Sequence, residues 1–237
     1  MLRIKIGILL LVALLFVSCS DASNNTDNNI DSNAIDKTDN SIDEILYVIQ
    51  REGKSGYINS TGKIVIEPIY DWIGKFKEGL APVWLNKKHY FIDMKGNTVI
   101  ETEFDGIQEF SEGLAVFTIG NPNSEEKFGC IDKSGNIVIE PIYEYISEFS
   151  EGLASAFLKD KAGYINKNGE VVIAFKYDTA VPFRDGIARV EVDGKWGFIN
   201  KMGEYIVEPM YRYASSFKDG VGSVEIDNVW KSIDKTG

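Results

Sequence analysis

The chain has 237 residues, of which 25 are Lys or Arg and 36 are Asp or Glu, giving a formal net charge of −11. Nucleic-acid binding depends on basic groups that release phosphate counterions, so this acidic balance argues against a nucleic-acid partner. The length suits one domain with a substantial hydrophobic core, and we expect no second domain.

Residues 1–18 have the features of an export signal. Two basic residues precede the apolar run 6–17, which is too short to span a bilayer comfortably. The run is followed by Ser18-Cys19, and this ending resembles the lipobox of bacterial lipoproteins, although Phe16 stands where that family prefers Leu. The resemblance implies cleavage before Cys19, lipidation of Cys19 and anchoring to a membrane of the cell envelope. An ordinary secretory signal is the alternative.

Residues 19–41 are predicted to be the lipidated cysteine and a flexible polar linker, because they hold almost nothing that could enter a core. Loss of Arg3 and Lys5 with the signal lowers the formal charge from −11 to −13. With Cys19 lipidated, Cys130 is the one remaining thiol, so we expect no internal disulfide.

Residues 42–237 are predicted to form one domain of tandem repeats. The phrase Lys195-Trp-Gly-Phe-Ile-Asn-Lys-Met-Gly recurs in altered form, and its final glycine returns at intervals of 34, 39, 34, 34 and 34 residues. Such a period is typical of stacked copies of one small unit, each covering its neighbour's apolar face. The units lie near residues 46–87, 88–126, 127–160, 161–194 and 195–228, with a partial unit at 229–237.

Each unit is predicted to contain three β-strands. A tight turn such as Asp193-Gly194 joins the first two, and a turn with Asn or Asp first and Gly fourth joins the next two. We expect prolines such as Pro68 to end the third strand. A connector then carries an acidic-Gly pair and a phenylalanine that should be the main core anchor. The phenylalanines are Phe76, Phe110, Phe149, Phe183 and Phe217.

Strands that are apolar on both faces belong between layers, so the small sheets should stack on one another. The predicted fold is therefore all-β, an open twisted array of antiparallel repeats. The alternative is a closed propeller-like ring in which the segment from Leu46 completes the last unit, although 34 residues is short for a propeller blade. The chain stops at a turn glycine, Gly237, and whether it is truncated there is left open.

The Lys-Trp-Gly-Phe-Ile-Asn-Lys-x-Gly phrase, the Val-Ile-x-Pro step and the Phe-x-(Glu/Asp)-Gly-Leu-Ala connector together resemble the WG repeat (KWG) family of bacterial β-repeats. The similarity covers residues 46–237, although Trp196-Gly197 alone carries the naming pair intact. The resemblance implies a β-repeat array that is often exported. It implies no general activity or ligand, so no functional residue is carried over.

Copy two departs most from the pattern, with Lys88-His-Tyr-Phe in place of Lys-Trp-Gly-Phe and Thr102 in place of proline. His89 is the one histidine of the chain and is expected to fill the tryptophan position, so no metal site and no cofactor are predicted. Cys130 is expected to be a buried, inert thiol. Two columns of equivalent acidic residues should either protect strand edges or attract cations. The Glu67 column contains Glu67, Glu101, Glu140 and Glu208. The acidic-Gly column contains the acidic residues Glu78, Glu112, Glu151, Asp185 and Asp219, each followed by Gly.

The predicted function is a non-enzymatic, membrane-anchored lipoprotein of the cell envelope that serves as a repeat scaffold for binding a protein or an envelope polymer. Exposed aromatic residues that not all copies share are the predicted contacts, namely Trp72, Trp84 and Trp230. The alternative is a glycan-acting enzyme or carbohydrate-binding module, in which rings stack on sugars and, in an enzyme, two carboxylates about 5 or 9 Å apart perform the chemistry. Ligand identity, oligomeric state and membrane leaflet are left open.

Overall fold

A computed structural model of the chain describes residues 45–120 and 125–237. Within these residues, 21 β-strands form six antiparallel sheets and no helix is present. The predicted all-β array of repeats is therefore confirmed. The predicted signal peptide, the lipidated Cys19 and the linker lie outside the described residues.

The strands follow chain order within each sheet, and the sheets are numbered here in the same order. Sheet 1 contains β1 (Tyr47–Arg51), β2 (Lys54–Ile58) and β3 (Ile64–Tyr70). Sheet 2 contains β4 (Trp72–Ile73), β5 (Leu80–Leu85), β6 (Lys88–Asp93) and β7 (Thr98–Thr102). Sheet 3 contains β8 (Gly106–Ile107), β9 (Leu114–Ile119), β10 (Lys127–Asp132) and β11 (Ile137–Tyr143).

The remaining three sheets repeat this order. Sheet 4 contains β12 (Tyr145–Ile146), β13 (Leu153–Leu158), β14 (Lys161–Asn166) and β15 (Val171–Tyr177). Sheet 5 contains β16 (Thr179–Ala180), β17 (Ile187–Val192), β18 (Lys195–Asn200) and β19 (Tyr205–Tyr211). Sheet 6 contains β20 (Gly222–Ile226) and β21 (Val229–Ile233).

Sheets 2 to 5 contain a fourth, two-residue strand that the sequence did not predict. This strand lies in the connector and pairs with the first long strand, as Tyr145 does with Phe157 and Ile146 with Ala156. Each of sheets 2 to 5 therefore runs from a connector to a third long strand and spans parts of two of the units defined from the sequence.

The turn chemistry is as predicted. Before Gly169 (φ 81°), the Asn166 side chain accepts hydrogen bonds from the backbone N–H groups of Asn168 and Glu170, both at 3.0 Å. The acidic-Gly pairs form a second kind of turn. Glu151 and Gly152 both have positive φ, and Ser150 and Leu153 exchange two backbone hydrogen bonds around them. These features define a two-residue hairpin turn that favours glycine at its second position.

The hydrophobic core is divided among the five boundaries between successive sheets. Between sheets 4 and 5, for example, Tyr164 and Ile173 pack against Ala188, Val190 and Ile199. The connector phenylalanine covers each boundary. At the boundary between sheets 4 and 5, the ring centroid of Phe183 lies 4.8 Å from that of Tyr164. The predicted anchors are buried at four of the five boundaries, at Phe110, Phe149, Phe183 and Phe217. Phe76, at the first boundary, is partly buried.

The array is open. Strand β1 pairs with β2, whereas sheet 6 contains β20 and β21 and takes no strand from the N-terminal half-unit. Ring closure, the alternative, would require such a shared sheet, so the described residues form a stack with two separate ends.

Candidate functional site

Trp72 and Trp84 form an exposed pair on sheet 2. They lie directly opposite each other on β4 and β5, and their exposed fractions are 45% and 40%. The third predicted contact, Trp230, lies on sheet 6 and is 56% exposed. The structure therefore brings two of the three predicted contacts together and places the third elsewhere.

His89 extends this pair into a row across three strands. It lies opposite Trp84 on β6, and the two rings stack with centroids 5.9 Å apart and planes 16° apart. The Nδ1 atom of His89 is 3.1 Å from the carbonyl oxygen of Phe104. Because a carbonyl oxygen can only accept, Nδ1 carries a proton, and in the neutral form of the ring Nε2 is the acceptor. Trp72, Trp84 and His89 are called the aromatic row below.

Sheet 2 also differs from its neighbours in how its third strand pairs. In sheet 4, Ala162 lies opposite Tyr177 and Tyr164 lies opposite Ile173. The chain therefore advances four residues along β15 where it advances two residues along β14. This is a bulge. The same bulge occurs in sheets 1, 3 and 5. In sheet 2 the pairing is regular at this point, with Tyr90 opposite Glu101.

Glycine on the middle strand is what permits the bulge. A Cβ atom on Gly163 would lie 2.6 Å from the bulged carbonyl oxygen of Ile173, a distance that real Cβ atoms essentially never show. The other bulged sheets have the same close approach at Gly56, Gly129 and Gly197. Sheet 2 has Tyr90 at this position, so the bulge cannot form there.

Proline has a smaller role than the sequence suggested. The prediction that it ends the third strand is wrong, because β3 continues through Pro68 to Tyr70. Proline is tolerated there because β3 is the last strand of its sheet and the residue lies in the bulge. Sheet 4 has Phe175 instead and still bulges, so glycine rather than proline decides the pairing.

The regular pairing of sheet 2 shapes a pocket of about 330 Å³ beside the aromatic row. Thr102 occupies the place opposite His89 and donates its hydroxyl to the His89 carbonyl oxygen at 3.1 Å. The Phe104 ring lies against Phe117 of sheet 3, with centroids 3.9 Å apart. The pocket is lined by Trp84, Lys87, Lys88, His89, Thr102, Glu103, Phe104 and Asp105.

The acidic-Gly column forms a ladder of hydrogen bonds between successive connectors, a role that the sequence analysis did not predict. Each carboxylate accepts the backbone N–H of the glycine in the next acidic-Gly pair. The pairs are Glu78 with Gly113, Glu112 with Gly152, Glu151 with Gly186 and Asp185 with Gly220, at 2.8–3.1 Å. These carboxylates therefore belong to the scaffold.

Lysines from more distant turns reinforce the ladder. Lys133 donates to the backbone carbonyl of Glu78 at 3.0 Å and pairs with its carboxylate at 3.1 Å, and Lys201 makes both contacts with Glu151. Burial by itself raises the pKa of Glu78, but the hydrogen bonds from Lys133 and Gly113 outweigh it and hold that pKa below its ordinary value of 4.5. The pKa of Glu151 is lowered for the same reasons.

A second set of acidic side chains caps the hairpin tips. Four carboxylates each accept a backbone N–H from the tip of the next hairpin, as Asp178 does from Asp193 at 2.7 Å. They are Asp71, Asp105, Glu144 and Asp178. The hydrogen bond from Lys161 and then that from the Asp193 amide lower the pKa of Asp178. A catalytic acid of a glycosidase needs a raised pKa, whereas the pKa values of Glu78, Glu151 and Asp178 are lowered.

The Glu67 column remains at the surface. All four glutamates are exposed, and Glu101 forms an ion pair with Lys88 at 2.9 Å. The predicted choice between edge protection and cation attraction stays open for this column. Cys130 is fully buried, as predicted, and burial raises the pKa of its thiol to about 12.

Within residues 45–120 and 125–237, no cluster of three or more His, Cys, Asp or Glu side chains could hold a metal ion. The same residues contain no helix long and apolar enough to cross a membrane.

Comparison with known proteins identifies the repeat. A family model described as "WG containing repeat" matches residues 56–88, 91–121, 128–161, 163–196 and 196–230. No curated protein matches the chain.

Two solved structures share the fold at low sequence identity. A crystal structure described as the eukaryotic initiation factor has a TM-score of 0.53 at 10% identity over 82% of this chain. The chain spans 62% of that protein's length. Kluyveromyces lactis Hsv2 has a TM-score of 0.50 at 11% identity, with coverage of 81% of this chain and 72% of that chain. These likenesses concern the β architecture alone.

Proposed function

The chain belongs to the WG-containing repeat family, and from this premise we propose that it is a non-enzymatic, exported lipoprotein whose stacked β-sheets present the aromatic row to a binding partner. The partner is a protein or an envelope polymer. The observation that carries this proposal is the aromatic row, in which Trp72 and Trp84 are exposed and His89 is partly buried beside them.

The scaffold itself does not need these rings. At the positions of Trp72 and Trp84, sheet 3 has Gly106 and Thr118, and sheet 5 has Thr179 and Glu191. Those sheets keep the same strand pairing with small or polar residues. Two tryptophans left exposed where the fold accepts small residues are best explained by contact with another molecule, because Trp is enriched among residues that dominate binding energy.

The proposed anchor rests on the sequence of the N-terminal region, which lies outside the described residues. Metabolic labelling of the full-length protein with an alkyne fatty acid should modify the wild type and leave Cys19→Ser unlabelled. The wild type should fractionate with membranes and the variant should not. An unlabelled wild type would contradict the anchor and leave the binding proposal intact.

Binding can be tested by affinity capture from envelope extracts with the full-length, detergent-solubilised protein. We expect the double variant Trp72→Ala/Trp84→Ala to lose the captured partner. Tyr213→Ala is a matched control, because Tyr213 has the position of Trp72 in the connector before sheet 6 and is 47% exposed. Equal capture by wild type and the double variant would refute the aromatic row as the binding site. Trp230→Ala, tested in parallel, decides whether the third predicted contact takes part.

A further inference from the structure

The pocket beside the aromatic row has the combination of groups that recognises a sugar. Building on the proposed function, we propose that its partner is an uncharged polysaccharide, with one pyranose ring stacked on the exposed indole of Trp84.

The ring surfaces provide a platform. Trp84 stacks on His89, and Trp72 lies directly opposite Trp84 on the other neighbouring strand. The faces of aromatic rings are electronegative, whereas the C–H groups on a pyranose face are weakly electropositive. A sugar ring therefore gains contact area and electrostatic complementarity on this platform. The pocket of about 330 Å³ lies at the lower end of the usual range for small-molecule sites.

The rim offers both donors and acceptors. In the neutral form of its ring, His89 accepts through Nε2, the carboxylates of Glu103 and Asp105 accept, and the ammonium groups of Lys87 and Lys88 donate. Each sugar hydroxyl donates one hydrogen bond and accepts others, so it needs partners of both kinds. An apolar peptide side chain needs neither kind.

The charge balance favours an uncharged ligand. Lys87 and Lys88 face Glu103 and Asp105 around the pocket, and Lys88 is also paired with Glu101, so the rim has no excess positive charge. The whole chain carries a formal charge of −11. An anionic polymer would meet long-range repulsion without a compensating basic pocket.

A second aromatic cluster indicates that the ligand is a chain of sugars. On sheet 4, Tyr145 and Phe157 occupy the positions of Trp72 and Trp84, with ring centroids 6.1 Å apart. Phe128 of sheet 3 extends this cluster, 5.6 Å from Tyr145. Because packed sheets lie about 10 Å apart, the two clusters are separated by roughly 20 Å. A polysaccharide lying along this edge reaches both.

Co-sedimentation with insoluble, uncharged polysaccharides tests the inference. The probes are a β-1,4-linked glucan and a β-1,4-linked N-acetylglucosamine polymer, with a soluble α-glucan followed by tryptophan fluorescence. We expect the full-length protein to bind at least one of them. Trp84→Ala should weaken binding about tenfold or more, the change typical of losing a central aromatic contact.

Two further variants separate stacking from hydrogen bonding. His89→Phe keeps a ring beside Trp84 and removes the Nε2 acceptor, so it should weaken binding by a few-fold. Tyr145→Ala/Phe157→Ala should weaken binding of the polymer and leave binding of a short oligosaccharide unchanged. Tyr213→Ala should have no effect. Circular dichroism and unreactive Cys130 establish that each variant is folded.

Each outcome decides between the two proposals. If the wild type binds none of the uncharged polysaccharides but Trp84→Ala loses a protein partner from the extract, the sugar inference is overturned and the proposed function stands. If Trp84→Ala affects neither the polysaccharides nor captured proteins, both fail. Tight binding of an anionic polymer in place of the uncharged ones would also overturn the inference.

Discussion

Sheets 2 and 4 are built from copies of one sequence pattern, yet they present different edges. Sheet 4 has Gly163 and a bulged third strand, whereas sheet 2 has Tyr90 and regular pairing. Their cores are alike, since Phe91 meets Phe110 at one boundary and Tyr164 meets Phe183 at the other, both at 4.8 Å. A repeat can therefore change its edge through one glycine position while its packing is preserved.

The largest expected effect tests whether the two cores are equivalent. Phe183→Ala and Phe110→Ala should each lower the free energy of unfolding by about 3–5 kcal/mol, because both rings are fully buried. Urea unfolding monitored by circular dichroism measures both. A much smaller loss for Phe110→Ala would show that sheet 2 is packed less tightly than sheet 4.

The next effect tests the role of glycine. Gly163→Ala places a Cβ against the Ile173 carbonyl, so it should cost about 2–3 kcal/mol or force the bulge out. Hydrogen exchange of the β15 amides reports the change in pairing. Tyr90→Ala is the matched control and should cost less, because sheet 2 has no bulged carbonyl at this position. Equal costs would refute the assignment of the bulge to glycine.

A smaller effect concerns the carboxylate ladder, which connects bulged and regular sheets alike. The pKa values of Glu78 and Glu151 are lowered on folding, so their contribution is fully present above about pH 4.5 and is lost as the pH falls through the folded values. Glu151→Gln should lower stability at pH 7 by about 1 kcal/mol or less, given its partial exposure, and reduce the loss on acidification. Urea midpoints between pH 7 and pH 3 measure this. Glu140→Gln, at an exposed site, should change neither.

The smallest expected effect concerns Cys130, which replaces the aromatic residue that sheets 2 and 4 have at this position. Its buried thiol, with a pKa raised to about 12, should be unreactive in the folded state. A Cys19→Ser chain leaves Cys130 as the single thiol. A thiol reagent at pH 8 should label it only as urea unfolds the protein. Rapid labelling without urea would show that the sheet 3–4 boundary opens readily.

The sequence predicted features that depend on nearby residues. The turn at Asn166 and the phenylalanine anchors each follow from a local pattern or from its period, whereas the sequence did not predict that the acidic-Gly pairs form turns. The two-residue strands escaped prediction because two residues carry no alternation. The bulge escaped because it depends on contact between Gly163 and a carbonyl ten residues away.

The candidate site was predicted in part. Trp72 and Trp84 stood out because other copies lack them, but their pairing requires the register of β4 and β5. His89 was expected only to fill a tryptophan position. In sheet 2, Tyr90 replaces the usual glycine and Thr102 replaces the usual proline. Both replacements are visible in the sequence, and they mark the sheet in which Trp72, Trp84 and His89 occupy neighbouring positions.

The carboxylate ladder has a consequence for how such a protein can change in length. Every rung joins a carboxylate to the glycine N–H of the equivalent turn one period later, as Glu151 is joined to Gly186. Deleting one whole period brings each carboxylate to the glycine N–H of another equivalent turn. Deleting half a period leaves a carboxylate without that N–H. Genes for this architecture can therefore gain and lose whole repeats, and each added repeat supplies both a carboxylate and a glycine N–H for the ladder.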